Sequence, residues 1–198
     1  YPRERSIWNS FISIERTHGT PEGLMKALEG AVLANPKMPV LWLMAAKHAW
    51  KGMGDDPHTA VANSRRLLER ANLANPVSED IWLAAIKLEW ETEEIERARV
   101  LLRKARDEAP TARIWMKSLL LEREQQNPKG VLDLAESALN AFPDEVRLYL
   151  IAGQTAQQDV NDVKLAYKYY KLGCDHCPFN PMIWIHLSRV EDEQGHVD

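Results

Sequence analysis

A Cys-Asp-His-Cys stretch, Cys174 to Cys177, is the part of this chain most suggestive of chemistry. Two cysteines at this spacing are typical of half a zinc site or of a redox pair. A structural zinc needs four ligands, and the sequence has no second Cys-x-x-Cys pair and no His-x-x-x-His pair to complete the set. We therefore interpret both cysteines as small apolar fillers and expect neither a metal nor a cofactor.

The histidines and the motif content of the chain do not indicate catalysis. The six histidines are scattered without catalytic spacing: His18, His48, His58, His176, His186 and His196. The sequence contains no phosphate-binding glycine loop, no G-x-S-x-G elbow and no paired-carboxylate motif. We expect no catalytic residue, so an enzyme built on helices is the least favoured class of function.

Four glutamates could act as acid–base groups by residue type alone: Glu15, Glu89, Glu122 and Glu191. Each lies seven residues after an aromatic residue of a repeated pattern described below. A residue required once in every repeat is expected to have a structural role. We predict that these carboxylates accept hydrogen bonds or pair with a cation on an adjacent helix, such as Arg97 or Arg99.

Three arginines, Arg99, Arg103 and Arg106, are spaced so that they share one stripe of a helix. The corresponding row of the first repeat is largely apolar, with Met25 and Val32. One interpretation is that the long side chains lie along apolar surface with solvated heads. The other is a binding site for an acidic or phosphorylated partner segment, and we predict partner contacts here.

Composition limits the remaining classes of function. The 198 residues are 45% hydrophobic, which is enough to bury a core, and the net charge is −4. The negative balance argues against a protein that grips a nucleic-acid backbone along its length. The sequence has no apolar run of membrane-spanning length. Because the chain lacks an initial methionine and ends inside a repeating pattern, we expect it to be a piece of a longer protein.

An internal repeat organises the whole sequence. An aromatic residue preceded by an apolar one recurs at spacings of 34, 40, 33, 34 and 35 residues: Trp8, Trp42, Trp82, Trp115, Tyr149 and Trp184. A proline precedes each of the last five aromatics by five or six residues: Pro36, Pro76, Pro110, Pro143 and Pro178. Five residues before each proline lies a small residue: Ala31, Ala71, Ala105, Ala138 and Gly173.

Each repeat predicts two helices, A and B, separated from the next repeat by the proline. In the third repeat, helix A is expected at about Glu79 to Glu91 and helix B at about Ile95 to Glu108. In the first, Gly19 is expected to end helix A and Thr20 to cap helix B, with Pro21 at its first position. Since a helix pair cannot bury its apolar stripes alone, stacking of neighbours predicts an all-α superhelical solenoid.

The predicted organisation is a single repeat array over residues 1–198, with repeats at about 5–36, 40–76, 80–110, 112–143, 147–178 and a partial one at 182–198. The second repeat is six residues longer than the first. Its extra length is interpreted as an enlarged loop between helices A and B at Lys51 to His58, where two glycines, acids and a proline cluster.

The repeat resembles the half-a-TPR (HAT) family. Tetratricopeptide repeats usually have a glycine four residues after the tryptophan, and only Gly153 of the fifth repeat matches. The tryptophan followed by glutamate in helix A, then "ERARVLLRKA" (Glu96 to Ala105) in helix B, is similar to HAT repeats, which occur mostly in RNA-processing complexes. The second and fifth repeats depart from the pattern because they lack the glutamate.

The similarity extends to the HAT scaffolds of the spliceosomal tri-snRNP over Glu15 to Thr20, Asn35 to Trp50, Ala74 to Ser118 and Cys177 to Gly195. This resemblance implies a nuclear, non-enzymatic scaffold in mRNA splicing that binds spliceosomal proteins and bridges the U5 and U4/U6 particles. The alternatives are a HAT scaffold of another RNA-processing complex, of the crooked-neck or cleavage-stimulation type, and an RNA-binding α-solenoid.

Overall fold

A computed structural model describes residues 5–52, 54 and 56–195 as two compact helical units. Unit 1 extends to Ala109 and unit 2 begins at Pro110. The helices of unit 1 are α1 (Arg5–His18), α2 (Pro21–Ala34), α3 (Pro39–Lys51), α4 (Pro57–Ala74), α5 (Glu79–Glu91) and α6 (Ile95–Glu108). The helices of unit 2 are α7 (Ala112–Glu124), α8 (Pro128–Ala141), α9 (Val146–Gln154), α10 (Val163–His176) and α11 (Pro181–Gln194).

Local sequence signals account for the ends of most helices. The bounds predicted for the third repeat are those of α5 and α6. At the turn between α1 and α2, the Thr20 hydroxyl accepts a hydrogen bond from the Gly23 amide at 3.0 Å, and Pro21 is the first residue of α2. A side-chain cap satisfies an amide that has no partner within the helix, and the fixed φ of proline suits the first turn.

The extra length of the second repeat is distributed differently from the prediction. Lys51 is still the last residue of α3, and Pro57 already begins α4, which has 18 residues where α2 and α6 have 14. Asp56 causes the early start, because its carboxylate accepts hydrogen bonds from the amides of His58 and Thr59. Most of the insertion therefore lengthens a helix, and the loop itself is shorter than Lys51 to His58. Met53 and Asp55 of that stretch lie outside the described residues.

The core of unit 1 is built where the helix pairs meet. Trp42 and Trp82 are 3% and 6% exposed, and the small residues Ala31, Ala71 and Ala105 are fully buried. A methyl side chain at these points lets neighbouring helices approach closely while the indoles fill the space beside them. The tryptophans and small residues that recur in the sequence therefore pack together in one interdigitated apolar layer.

The described part of unit 2 includes an irregular element, a π-helical turn at Thr155–Asp159 that directly continues α9. The spacing from Tyr149 to Trp184 is 35 residues, one more than in the preceding repeat. A π turn holds an additional residue without breaking the helix. The turn is tied to α7 by Arg123, whose guanidinium donates to Gln154, Gln158 and Asp159 at 2.8–3.1 Å.

The tetratricopeptide-like glycine of the fifth repeat has a packing role. A Cβ atom added to Gly153 would lie 2.3 Å from the ring of Tyr170 on α10, and Tyr170 is fully buried. The preceding repeat has the opposite arrangement, with Leu119 at the glycine position and Ala135 at the tyrosine position, both buried in the same core. Large and small residues have thus exchanged places between the two helices, which preserves the packed volume.

The chain is an all-α solenoid, as predicted: the described residues form five helix pairs and the first helix of a sixth, without a strand. None of the described helices is long and apolar enough to cross a membrane. The assignment of residues 1–198 to one array stays a prediction.

Candidate protein-binding surfaces

The aromatic and proline anchors of the repeat are joined by a recurring hydrogen bond. The indole Nε1 of Trp42 donates to the carbonyl of Pro36 at 2.8 Å, and that of Trp82 donates to Pro76 at 2.7 Å. The same bond joins Trp184 to Pro178 at 2.8 Å. Each pair is six residues apart, so the bond closes the turn that leads from helix B of one repeat into helix A of the next.

Tyr149 takes the place of tryptophan in the fifth repeat and preserves this bond. Its hydroxyl donates to the carbonyl of Pro143 at 2.9 Å. Burial raises the pKa of Tyr149 to about 12, so the phenol keeps its donor proton at neutral pH. The sequence pattern showed the spacing between the proline and the aromatic residue. It did not show that the aromatic side chain must also donate a hydrogen bond.

The other two anchors differ in setting. Trp115 is half-buried and follows Pro110 by five residues, not six. Trp8 is half-buried against α2, where its ring leaves no room for a side chain on Gly30. Trp184, one of the anchors that makes the hydrogen bond described above, is 49% exposed.

Glu89 is buried and forms a two-pronged ion pair with Arg65. Arg65 Nε and Nη2 each lie 2.7 Å from a carboxylate oxygen of Glu89, whose side chain is 4% exposed. The bond joins α4 to α5, two helices of adjacent repeats. The partner is therefore Arg65 and neither of the suggested arginines: Arg97 lies 3.9 Å from Glu94 and Arg99 lies 2.6 Å from Glu96. Both of these pairs join residues three positions apart in the sequence.

The remaining repeat glutamates have separate surroundings. Glu122 accepts a hydrogen bond from Asn127 Nδ2 at 2.8 Å, and Asn127 Oδ1 in turn accepts from the Gly130 amide to cap α8. Glu15 is half-buried with its carboxylate beside Gly19 at the turn into α2. Glu191 is half-buried near the end of α11. Within each unit, the two carboxylates have different neighbours among the described residues.

The arginine row of α6 is unevenly accessible. Arg103 is exposed, whereas Arg99 and Arg106 are half-buried. The row corresponds by register to Arg65, Glu69 and Asn72 of α4. In α4 that row lines a groove of about 430 Å³ that α5 and α6 complete, and Arg65 is held there by Glu89.

Two exposed lysines of unit 1 contact groups on neighbouring elements. Lys37 Nζ donates to the carbonyl of Ala74 at 2.6 Å, and Lys51 lies 3.4 Å from Glu91. Lys26 is exposed as well. The first contact joins the turns that precede α3 and α5, since these turns are neighbours in the stack of helix pairs.

The cysteine pair lies at the end of α10. Cys174 is 4% exposed, and the half-buried Cys177 donates a weak hydrogen bond to the carbonyl of Asp144 at 3.3 Å. Burial raises the pKa of both thiols. A raised thiol pKa disfavours the reactive thiolate. Among the described side chains, no group of three or more His, Cys, Asp or Glu residues is arranged to hold a metal ion.

The histidines do not converge on one site within the part of the chain that the structure describes. His176 and His186 stack on different tyrosines, Tyr149 and Tyr170, with ring centroids 6.0 and 5.3 Å apart. Burial lowers the pKa of His186. His196 lies outside the described residues.

Comparison with known proteins relates this chain to pre-mRNA splicing factors. Over 102 residues it is 38% identical to pre-mRNA-splicing factor prp1 of Schizosaccharomyces pombe, a match that covers 52% of this chain and 11% of the relative. Over 54 residues it is 44% identical to human pre-mRNA-processing factor 6, a match that covers 27% of this chain and 6% of the relative. The chain thus spans about a tenth or less of the relatives' lengths. No family model matches it.

The fold is that of tetratricopeptide-type proteins. The crystal structure of the TPR protein YrrB superposes with a TM-score of 0.55 at 12% identity, covering 94% of this chain and 93% of that one. Together with the partial sequence matches, this similarity supports a HAT/TPR repeat fragment like part of pre-mRNA-processing factor 6.

Proposed function

We propose that this chain is part of a non-enzymatic protein-binding scaffold in pre-mRNA splicing, and that the scaffold bridges the U5 and U4/U6 particles of the tri-snRNP in the nucleus. The observation that carries the proposal is the partial identity with two proteins named as pre-mRNA splicing or processing factors. The helix pairs stacked within each unit suit a scaffold, because such arrays present extended surfaces to protein segments.

The alternatives differ in partner and not in fold. A HAT scaffold of the crooked-neck or cleavage-stimulation type would have the same helix pairs and bind another RNA-processing complex. An RNA-binding α-solenoid would need a strongly basic surface, and the net charge of −4 argues against one.

The test is affinity capture from nuclear extract with the tagged 198-residue chain, read by mass spectrometry. We expect enrichment of U5 and U4/U6 proteins, before and after nuclease treatment. Enrichment of cleavage-stimulation proteins in their place would assign the chain to the alternative complex. Loss of all partners after nuclease treatment would favour contact through RNA.

We also propose that Arg99, Arg103 and Arg106 contact an acidic segment of such a partner. Guanidinium groups bind carboxylates and phosphates in a two-pronged manner, and the exposed Arg103 is the most accessible of the three. Arg99 contributes least to this proposal, because its Nη1 already lies 2.6 Å from Glu96.

The arginine proposal is tested by Arg103→Glu, which changes an exposed residue and should leave the fold intact. We expect this variant to capture less of the tri-snRNP partner. The loss of one charge-assisted contact should weaken the binding free energy by about 1–3 kcal/mol. The matched control is Lys26→Glu, at an exposed position of α2. Equal capture by both variants would show that the row is an ordinary solvated surface.

A further inference from the structure

A second groove of unit 1, between α3 and α5, concentrates lysines around an apolar floor. It encloses about 250 Å³, and the floor includes Ala46, Ala84 and Leu88. Three lysines line it: Lys47 and Lys51 from α3, and Lys87 from α5. We call this feature the lysine groove.

The lysine groove carries excess positive charge on a chain whose net charge is negative. Glu91 contacts two of the lysines, at 3.4 Å from Lys51 Nζ and 3.4 Å from Lys87 Nζ. Lys47 has no ion-pair partner among the described residues. Burial raises the pKa of Glu91, but the two ammonium groups outweigh it and lower the pKa overall, so this carboxylate is ionised at neutral pH. Lys51 and Lys87 share this one carboxylate, and the residues that line the groove include three lysines and no acid, which leaves a local surplus of positive charge.

One wall of the groove is aromatic. Trp50 is half-buried, and Lys51 Nζ lies 4.3 Å from its ring centroid. The ammonium group is therefore held over the indole face, where a cation is favoured. A ligand at this wall would meet an apolar ring and a positive charge side by side.

We infer that the lysine groove binds an extended acidic protein segment whose carboxylates flank an apolar side chain. The apolar side chain would cover the alanine and leucine floor, and the carboxylates would meet Lys47, Lys51 and Lys87. Charge complementarity selects this occupant, because lysine ammonium groups act as point charges for carboxylates without demanding a planar geometry. RNA fits less well, since three lysines with an apolar floor offer few phosphate contacts and the chain as a whole is negative.

This inference rests on the proposed function as a protein-binding scaffold, but the two can fail separately. Peptide binding is measured on the 198-residue chain alone, without spliceosomal protein. A failure of the peptide experiment leaves the splicing assignment intact, and a failure of capture from nuclear extract leaves the chemistry of the groove intact.

The probe is a fluorescein-labelled peptide of sequence Glu-Leu-Glu-Glu-Leu-Glu-Glu, followed by fluorescence anisotropy. Lys47→Glu with Lys87→Glu reverses two charges on opposite sides of the groove. The matched control is Lys129→Glu with Lys168→Glu, two exposed lysines of unit 2 that impose the same change of net charge. Circular dichroism shows whether both variants keep the parent fold.

We expect the groove variant to bind the peptide about tenfold more weakly, because two surface ion pairs of modest strength are each replaced by a repulsion. The control should remain within about twofold of the parent, and salt should weaken binding to the parent. A peptide with lysine in place of each glutamate should not bind.

Three results would overturn the inference. The first is the absence of peptide binding to the parent chain. The second is an equal loss of affinity in the groove variant and in the control, which would mean that only net charge matters. The third is tighter binding of a twelve-nucleotide polyuridine RNA, lost in the groove variant, which would assign the lysines to nucleic acid.

Discussion

Removing Arg65 and removing Glu89 should lower the free energy of unfolding by different amounts, although the two side chains form one ion pair. The Glu89 side chain is 4% exposed and the Arg65 side chain 26% exposed, and two hydrogen bonds of 2.7 Å join them. Arg65→Ala would leave a buried carboxylate without its cation, at the usual cost of about 3–5 kcal/mol. Glu89→Ala leaves an arginine that water already reaches, so we expect a smaller loss of about 2–3 kcal/mol.

The double variant tests whether the two side chains act as a pair. Since the second substitution removes a partner that is already unsatisfied, the combined loss should fall short of the sum by about 1–3 kcal/mol. The control is Glu91→Ala, an exposed carboxylate near lysines, which should cost no more than about 1 kcal/mol.

Urea unfolding followed by far-ultraviolet circular dichroism and by tryptophan fluorescence measures these free energies. Repeat arrays can lose cooperativity, so the two probes must give coincident transitions before the midpoints are compared. If Arg65→Ala unfolds at the same urea concentration as Glu91→Ala, the bond between α4 and α5 does not contribute to stability. If Glu89→Ala is the more damaging single change, the argument from burial is wrong.

Four further predictions concern the repeat anchors and the cysteines. Burial raises the pKa values of Tyr149 and Tyr170 to about 12, so the stability that their neutral phenols contribute should be present below pH 10 and lost as the pH rises through about 12. Burial raises the pKa of Tyr169 as well, so absorbance at 295 nm should show a late-titrating fraction that shrinks but does not vanish when Tyr149 and Tyr170 are both replaced by phenylalanine. Gly153→Ala should cost about 1–3 kcal/mol by overpacking, measured by thermal unfolding, and Tyr170→Leu in the same chain should recover part of that loss. Trp82→Phe, which removes one hydrogen bond and little volume, should cost far less in urea unfolding than Trp82→Ala, for which about 3–5 kcal/mol is expected; equal losses would show that the indole does not fill the core. Chelator and reductant should each leave the helical circular dichroism unchanged, and a loss of signal in either would show that the two cysteines hold the fold.

The repeat anchors could be located from the sequence, but their contacts could not. The anchors Trp42 and Pro36 were identified by spacing, yet the bond between them depends on how the turn folds back. The four recurring glutamates were identified by their spacing from the aromatic anchors, whereas the partner of Glu89 lies 24 residues earlier in the chain. Lys51 is an exposed residue, and only the juxtaposition of α3 and α5 placed it beside Glu91 and Lys87.

The sequence by itself determined the helical repeat, the limits of α5 and α6, and the cap of α2, because these depend on residues within a few positions of one another. Only the tertiary structure decided that Arg65 pairs with Glu89, that Gly153 makes room for Tyr170, and that lysines of two helices share a groove. The physical reason is that propensity and capping act along the chain, whereas these pairings depend on the rotation and separation of packed helices, which many distant contacts set together.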